Sequence, residues 1–284
     1  MHKMQKNISI KSLNSKIITM QKRGEKMKIV FSIVLSVILL VLPCFASKSC
    51  DGAVSWYSVR KKDHTQPTLS SELSYVTDYD LFWCDNRHKE YNSEDKVIYL
   101  TFDAGYENGN IQKIVDVLRA ENIRATFFVL DNLLLKNEDL VTQMIEDGHV
   151  VANHTMKHKD MTKMASKDDF EKELVELETL FESKYGEKMP KYYRPPEGKL
   201  SKENLKWAKE LGYKTVMWSF AYADWDNGKQ PSREYAMNKI MANLHNGEIM
   251  LLHPTSSTNA EIMPSLIKEL KKMGYRFATV EELC

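Results

Sequence analysis

The chain has 284 residues, 43% of them apolar, enough for one sizeable core and so for one domain, or one domain with an N-terminal extension. The formal net charge of +1 hides an uneven distribution: the first 46 residues hold eight Lys or Arg against Glu25 alone, leaving 32 basic and 38 acidic residues, about −6, in the rest. A body of that sign is a poor partner for a phosphate backbone, which argues against nucleic-acid binding, and is compatible with a neutral glycan.

Ile29 to Leu42 form an unbroken run of aliphatic residues, Phe and Ser, preceded by Lys26 and Lys28 and followed by Pro43, Cys44, Phe45 and Ala46. Basic flank, short apolar run and small-x-small site together read as a secretory signal peptide over residues 1–46. The run is short for a membrane span, and a retained anchor is the alternative. Met27 would be a tidier start than Met1. An exported chain leaves Cys50, Cys84 and Cys284 once Cys44 departs; they are odd in number and widely spaced, which argues against a structural zinc site. A Cys50–Cys84 bridge is the less favoured alternative to free thiols.

Residues 47–95 are polar and irregular with scattered aromatics (Trp56, Tyr57, Tyr75, Tyr79, Phe82, Trp83). They read as an extension wrapped on the main domain, with His64 and His88 as plain surface residues. After Lys96 short β-branched and aromatic runs alternate with amphipathic segments. The expected strands are 97–103, 125–130, 149–154, 191–194, 215–220, 248–253 and 275–280. Between them lie helical stripes: Ile111, Ile114, Val115 and Leu118; Leu140, Val141, Met144 and Ile145; Phe170, Leu174, Leu177 and Leu180 or Phe181; Leu205, Trp207, Ala208 and Leu211; Ala236, Ile240 and Leu244; Ile262, Leu266, Ile267 and Leu270. Gly148, Gly212 and Gly274 each stand where a helix should stop before a strand. This alternation predicts an α/β fold, an irregular (β/α) barrel of about seven parallel strands with an irregular N-terminal extension.

Chemically capable residues stand where the apolar runs end. Asp103 ends the first, His154 the third, Arg194 the fourth and His253 the sixth, while Asp224 and Trp225 lie just beyond the fifth. In parallel α/β folds the C-terminal strand ends face one shared cleft, so these positions should converge. Taken singly each has a plainer reading. Asp103 could be a helix N-cap, Arg194 before two prolines a rigid surface loop, and His253 a satisfied buried histidine. His154 and His158 are four apart, a spacing that on a helix or tight turn puts both imidazoles on one side, as a metal pair requires.

As an ordered set, Thr101-Phe102-Asp103, the His154–His158 pair, Arg194-Pro195-Pro196-Glu197-Gly198, Asp224-Trp225 and Leu251-Leu252-His253 resemble the five motifs of the polysaccharide deacetylases (carbohydrate esterase family 4, the NodB homology domain). The likeness spans residues 96–284, the expected catalytic domain. The stretches 101–110 and 217–226 further resemble the δ-lactam-biosynthetic branch, whose members deacetylate peptide-free muramic acid in spore cortex peptidoglycan. The resemblance implies a divalent metal, zinc by default for imidazole ligands, held by His154 and His158. It implies Asp103 as general base, tethered by Arg194, and His253 as general acid, oriented by Asp224. The oxyanion would lie against the metal and a backbone N–H near Glu197. Trp225, Tyr222 and Trp218 are placed to wall the sugar, although core packing is the favoured role for Trp218. The implied partner is the peptidoglycan glycan strand, met outside the cell, with membrane contact only through a retained anchor.

One position departs from the common family pattern of two successive acids: Ala104 stands where the second, a metal ligand, is usual. Glu107 is the nearest replacement, but a first-turn helix acid is its expected role. The departure keeps two other readings open, an N-acetylglucosamine deacetylase and an inactive glycan-binding protein. Retention of Asp103, Arg194, Asp224 and His253 together argues against the second, because binding alone needs no acid–base set.

Overall fold

The computed structural model describes residues 52–283. The expected signal segment, Cys50 and Cys284 lie outside them. In chain order the elements are β1 (Val54–Ser55), β2 (Leu81–Phe82), β3 (Lys96–Ala104), α1 (Ile111–Ala120), β4 (Thr126–Val129), α2 (Asp131–Lys136), α3 (Glu138–Glu146), β5 (Val150–Asn153), α4 (Lys167–Tyr185), β6 (Tyr192–Tyr193), β7 (Lys199–Leu200), α5 (Lys202–Glu210), β8 (Lys214–Val216), α6 (Arg233–Asn243), β9 (Glu248–Leu252), α7 (Ser257–Lys272) and β10 (Tyr275–Ala278).

All seven expected strands are present and every pairing between them is parallel. The order β9–β3–β4–β5–β6–β8 curls on itself, and Phe220, just past β8, bridges Met250 of β9. Ser219 N donates to Ile249 O (3.0 Å) and Leu251 N to Phe220 O (2.9 Å), so the curl is carried round to an irregular barrel. The long β3 serves three neighbours: β9 along one edge, with β10 beside Lys96–Tyr99 and β4 beside Thr101–Ala104 along the other.

The period-two alternation of each strand sorts its side chains into two layers. Ile98, Leu100, Phe102 and Ala104 join the core beneath the helices, with Ile114 and Leu118 of α1, Ile240 of α6 and Leu266 of α7. Val97 and Tyr99 belong instead to the barrel interior, with Val150 and Ala152 of β5, Val216 and Ile249. The same parity, continued to the strand ends, carries Asp103, His154, Arg194 and His253 into the barrel mouth. The helices carry the expected apolar faces. α7 starts on Ser256, whose Oγ accepts from Asn259 N (3.1 Å), and α4 on Ser166, whose Oγ accepts from Asp169 N (3.1 Å).

The stretch before β3 is more deeply integrated than its composition suggested. β2 pairs parallel with β8, adding an eighth strand to the sheet, and β1 pairs antiparallel with β7. Trp56, Leu73, Val76, Leu81, Trp83 and Cys84 are buried in a core of their own with Leu205 and Met217. Cys84 carries a free, buried thiol beside Gly247 O. Two histidines are not plain surface residues: His64 stacks on Tyr91 and bonds Leu244 O (2.7 Å), and His88 lies between Asp85 and Asp95.

Candidate active site

The strand ends open into a cleft of about 650 Å³ lined by Asp103, His154, His158, Glu197, Trp218, Tyr222, Trp225 and His253 among others. Seven of the nine site residues expected from sequence line it. The other two lie one layer back, Arg194 against Asp103 and Asp224 against His253.

Asp103 caps no helix. It stands within β3, paired with Phe128 of β4, and its Oδ1 accepts from Arg194 Nη1 (2.8 Å). Arg194 is fully buried, where an unpaired guanidinium would be strongly destabilising. Every direction of its fork is answered: Nε donates to Val216 O (2.9 Å), Nη2 to Thr101 Oγ1 (2.9 Å) and Met217 O (3.2 Å), and the plane lies over the Phe128 ring at 4.2 Å. Burial alone would raise the Asp103 pKa, but the Arg194 charge, with the nearby imidazoles, lowers it below the ordinary carboxylate value. The carboxylate is therefore kept ionised in a dry pocket, which is the state a base requires.

His154 follows β5. Its Nδ1 donates to Arg194 O (2.8 Å), which fixes the tautomer and leaves the Nε2 lone pair facing Asp103 Oδ2 at 3.6 Å. Burial pushes its pKa down to about 4, so the ring is neutral at physiological pH. His158 lies 5.0 Å away, ring centroid to centroid, on a tight turn rather than a helix; Thr155 and His158 both have left-handed backbones (φ 75° and 52°), and Thr155 Oγ1 accepts from His158 N (3.0 Å). The two imidazoles thus meet at the cleft next to an anionic carboxylate, and His154 is in the neutral form that binds a metal. Among the described residues no three His, Cys, Asp or Glu side chains cage an ion by themselves. The donor set fits a divalent ion that keeps open positions for water or substrate, as catalytic rather than structural sites do. Ala104 adds nothing to it, because β3 remains paired through that residue and its methyl lies in the helix-side core. Glu107 is turned away as well: its carboxylate accepts from Ile111 N (3.0 Å) and Gly109 N at the start of α1.

Across the cleft His253 Nδ1 donates to Asp224 Oδ1 (2.6 Å), and its backbone N–H to Asp224 Oδ2 (2.9 Å). Burial works to lower the His253 pKa, but the hydrogen bond and charge of Asp224 outweigh it and raise the value. His253 is thereby held protonated further up the pH scale, with its second nitrogen free for the cleft. Asp224 is steadied by Asn259, whose Nδ2 donates to its Oδ2 (2.7 Å) and to His253 O (3.0 Å).

Trp225 is an exposed aromatic of the rim, 61% accessible and edge-on to His253 at 6.0 Å. Tyr222 differs from expectation: it is nearly buried, and its hydroxyl donates to Asn259 Oδ1, so it supports the wall rather than presenting a free face. Trp218 is half-buried under Arg194 (5.7 Å) and does both jobs, packing in the core and lining the cleft. Glu197, exposed and paired with Lys199 (2.6 Å), takes a left-handed backbone (φ 57°) within the Pro195–Gly198 turn. Sequence reasoning missed Thr101, Asn259 and Tyr106. The first two are buried polar residues that look like ordinary strand and helix positions. Tyr106 could have been suspected as an aromatic directly after the Asp103 strand.

Comparison with known proteins follows the same lines. The family profile described as Polysaccharide deacetylase matches residues 90–216. The chain is 36% identical over 231 residues to the peptidoglycan-N-acetylmuramic acid deacetylase PdaA of Bacillus subtilis, covering 81% of this chain and 85% of that protein. It is also 36% identical over 199 residues to a peptidoglycan-N-acetylglucosamine deacetylase of Bacillus cereus, covering 68% of this chain and 91% of that one. Among solved structures, that of Bacillus subtilis PdaA, described as a family 4 carbohydrate esterase, superposes with a TM-score of 0.74 at 35% identity, covering 81% of this chain and 96% of that chain.

Proposed function

The chain belongs to the polysaccharide deacetylase family, and from that premise we propose that it hydrolyses the N-acetyl group of peptide-free N-acetylmuramic acid in peptidoglycan, outside the cell, as a step toward muramic δ-lactam in spore cortex. The observation that carries the chemistry is the pairing of opposites in one cleft: Arg194 lowers the pKa of Asp103, and Asp224 raises that of His253. Amide hydrolysis needs a base for the attacking water and an acid for the departing nitrogen, and these two groups are tuned in the two required directions. The similarity to PdaA, extending over most of both chains, supports muramic acid as the sugar.

His154 Nε2 and His158 would hold a divalent ion, zinc by ligand type, and such an ion when bound supplies Lewis-acid polarisation of the amide carbonyl and activation of water. Asp103 takes the proton of the attacking water. Arg194 holds its Oδ1 and leaves Oδ2, on the His154 side, for that contact. His253 gives the proton of its free ring nitrogen to the leaving amine, while Asp224 and Asn259 fix the ring. A backbone N–H near Glu197, in the left-handed turn that lines the cleft, would supply a donor to the developing oxyanion. Trp225 provides the sugar platform. The Bacillus cereus relative favours a second reading, deacetylation of N-acetylglucosamine.

The purified chain should release acetate from peptide-free muramic acid strands, lose that activity with a chelator and regain it with divalent metal. Asp103→Asn should lower kcat by about 10²–10⁴-fold. Acetate released only from N-acetylglucosamine oligomers would replace the first reading by the second. An unaltered rate in Asp103→Asn would remove the base from the mechanism.

A further inference from the structure

Muramic acid differs from glucosamine in one group, the lactyl ether on C3, and in a peptide-free strand that group ends in a free carboxylate. The cleft must meet an anion next to the acetamido group, yet no Lys or Arg is among the residues that line it. Lys199, next in sequence to Gly198 of the lining, is engaged by Glu197 (2.6 Å) and Asp160 (3.1 Å). With His253 and the His154–His158 pair assigned to the acetamido group, neutral donors at the rim are left to read the carboxylate.

One pair at the rim has donors to spare. Tyr106 follows β3 three residues beyond Asp103, is 46% exposed and lines the cleft. Its hydroxyl accepts from Asn227 Nδ2 at 2.6 Å, and Asn227 comes from the loop between β8 and α6 that also carries Asp224 and Trp225. Because the phenol accepts in this contact, its own proton is unspent, and so is the second amide proton of Asn227. Two donor hydrogens thus stand side by side, the arrangement that accepts both oxygens of a carboxylate. The loop is held in place: Gln230 Nε2 donates to Asp224 O and Asp226 O (2.9 Å each), Asp226 Oδ1 accepts from Gly228 N (2.9 Å), and Gln230 Oε1 accepts from Ser256 Oγ (2.5 Å).

We propose that Tyr106 and Asn227 form the seat for the lactyl carboxylate and so select muramic acid over glucosamine; this rests on the muramic acid reading above. The pair touches no reacting atom and acts on specificity. The test uses the full chain, loaded with metal, on two peptide-free strands, one with free lactyl carboxylates and one with the same carboxylates converted to primary amides. Acetate release gives kcat/KM for each. The wild type should prefer the acid strand by about ten- to a hundredfold, the scale of hydrogen bonds to a charged group. Tyr106→Phe and Asn227→Ala should each bring the acid-to-amide ratio down by about tenfold, mostly through KM. Both positions are exposed, so the variants should fold. Three outcomes overturn the inference and leave the muramic acid reading standing: a wild type that treats both strands alike, variants that keep the wild-type preference, or variants that lose both strands equally. No acetate from either strand in the wild type would remove the muramic acid reading and the inference together.

Discussion

At the residue scale the site is a study in how burial is offset. Arg194 is out of water and is tolerable there because Asp103 and the surrounding backbone carbonyls answer it, while Asp103 keeps only its cleft-facing edge exposed. The His253–Asp224 pair yields a prediction about pH. His253 must be protonated to act as an acid, so its contribution is present below its folded pKa and is lost as pH rises through it. In the wild type that pKa is raised because Asp224 outweighs burial. Asp224→Asn removes that charge and leaves the burial, so the pKa falls from its wild-type position. The basic limb of kcat against pH should then move to lower pH. A basic limb in Asp224→Asn at the wild-type position would assign it to another group.

At the element scale the turn from Arg194 to β7 is the most constrained piece of the cleft. Gly198 has φ +63°, and a Cβ there would lie 2.6 Å from Trp218 Cη2 and 3.3 Å from Trp56 Cβ. Its carbonyl also accepts from Trp56 N (2.8 Å). Gly198→Ala adds a left-handed backbone penalty of about 1–2 kcal/mol to an overlap that only a shift of Trp218 can relieve. Thermal unfolding should show a Tm lower by several degrees, and acetate release should fall because Trp218 lines the cleft and supports Arg194. A variant with wild-type Tm and rate would show that the turn has more room than these distances allow.

At the scale of the whole molecule, the segment before β3 is a structural part of the barrel. Trp56 is buried, tilted against Trp83, and donates from Nε1 to Trp218 O (2.8 Å). Asn246 ties the same segment to the base of the sheet, accepting from Val97 N (2.8 Å) and donating to Glu90 O and Asp95 O (3.0 Å each). Trp56→Ala should cost about 3–5 kcal/mol by loss of a buried aromatic. Denaturant unfolding should register that loss with little change in m, and activity should fall with it because the Trp218 wall loses its backing. If the segment were a loose wrap, the loss would be well under 1 kcal/mol.

The strands, the helices and the site residues at the strand ends were legible because their signals are local. Alternation with period two and stripes with period 3.6 depend only on near neighbours, and parity along a strand decides which side of the sheet its last residue faces. The C-terminal ends of parallel strands face one cleft, which is why Asp103, His154, Arg194 and His253 could be expected to meet. The tertiary structure decided what depends on contacts distant in sequence. β2, two residues long, has no period of its own and exists because Leu81 and Phe82 find Thr215 and Val216. Asn259 becomes a site residue only when α7 is laid against the loop carrying Asp224, and Tyr222 is turned inward by the same contact. The silence of Ala104 has a similar cause: β4 keeps β3 extended through that position, so its side chain points to the helices, a direction set by the register of a partner strand.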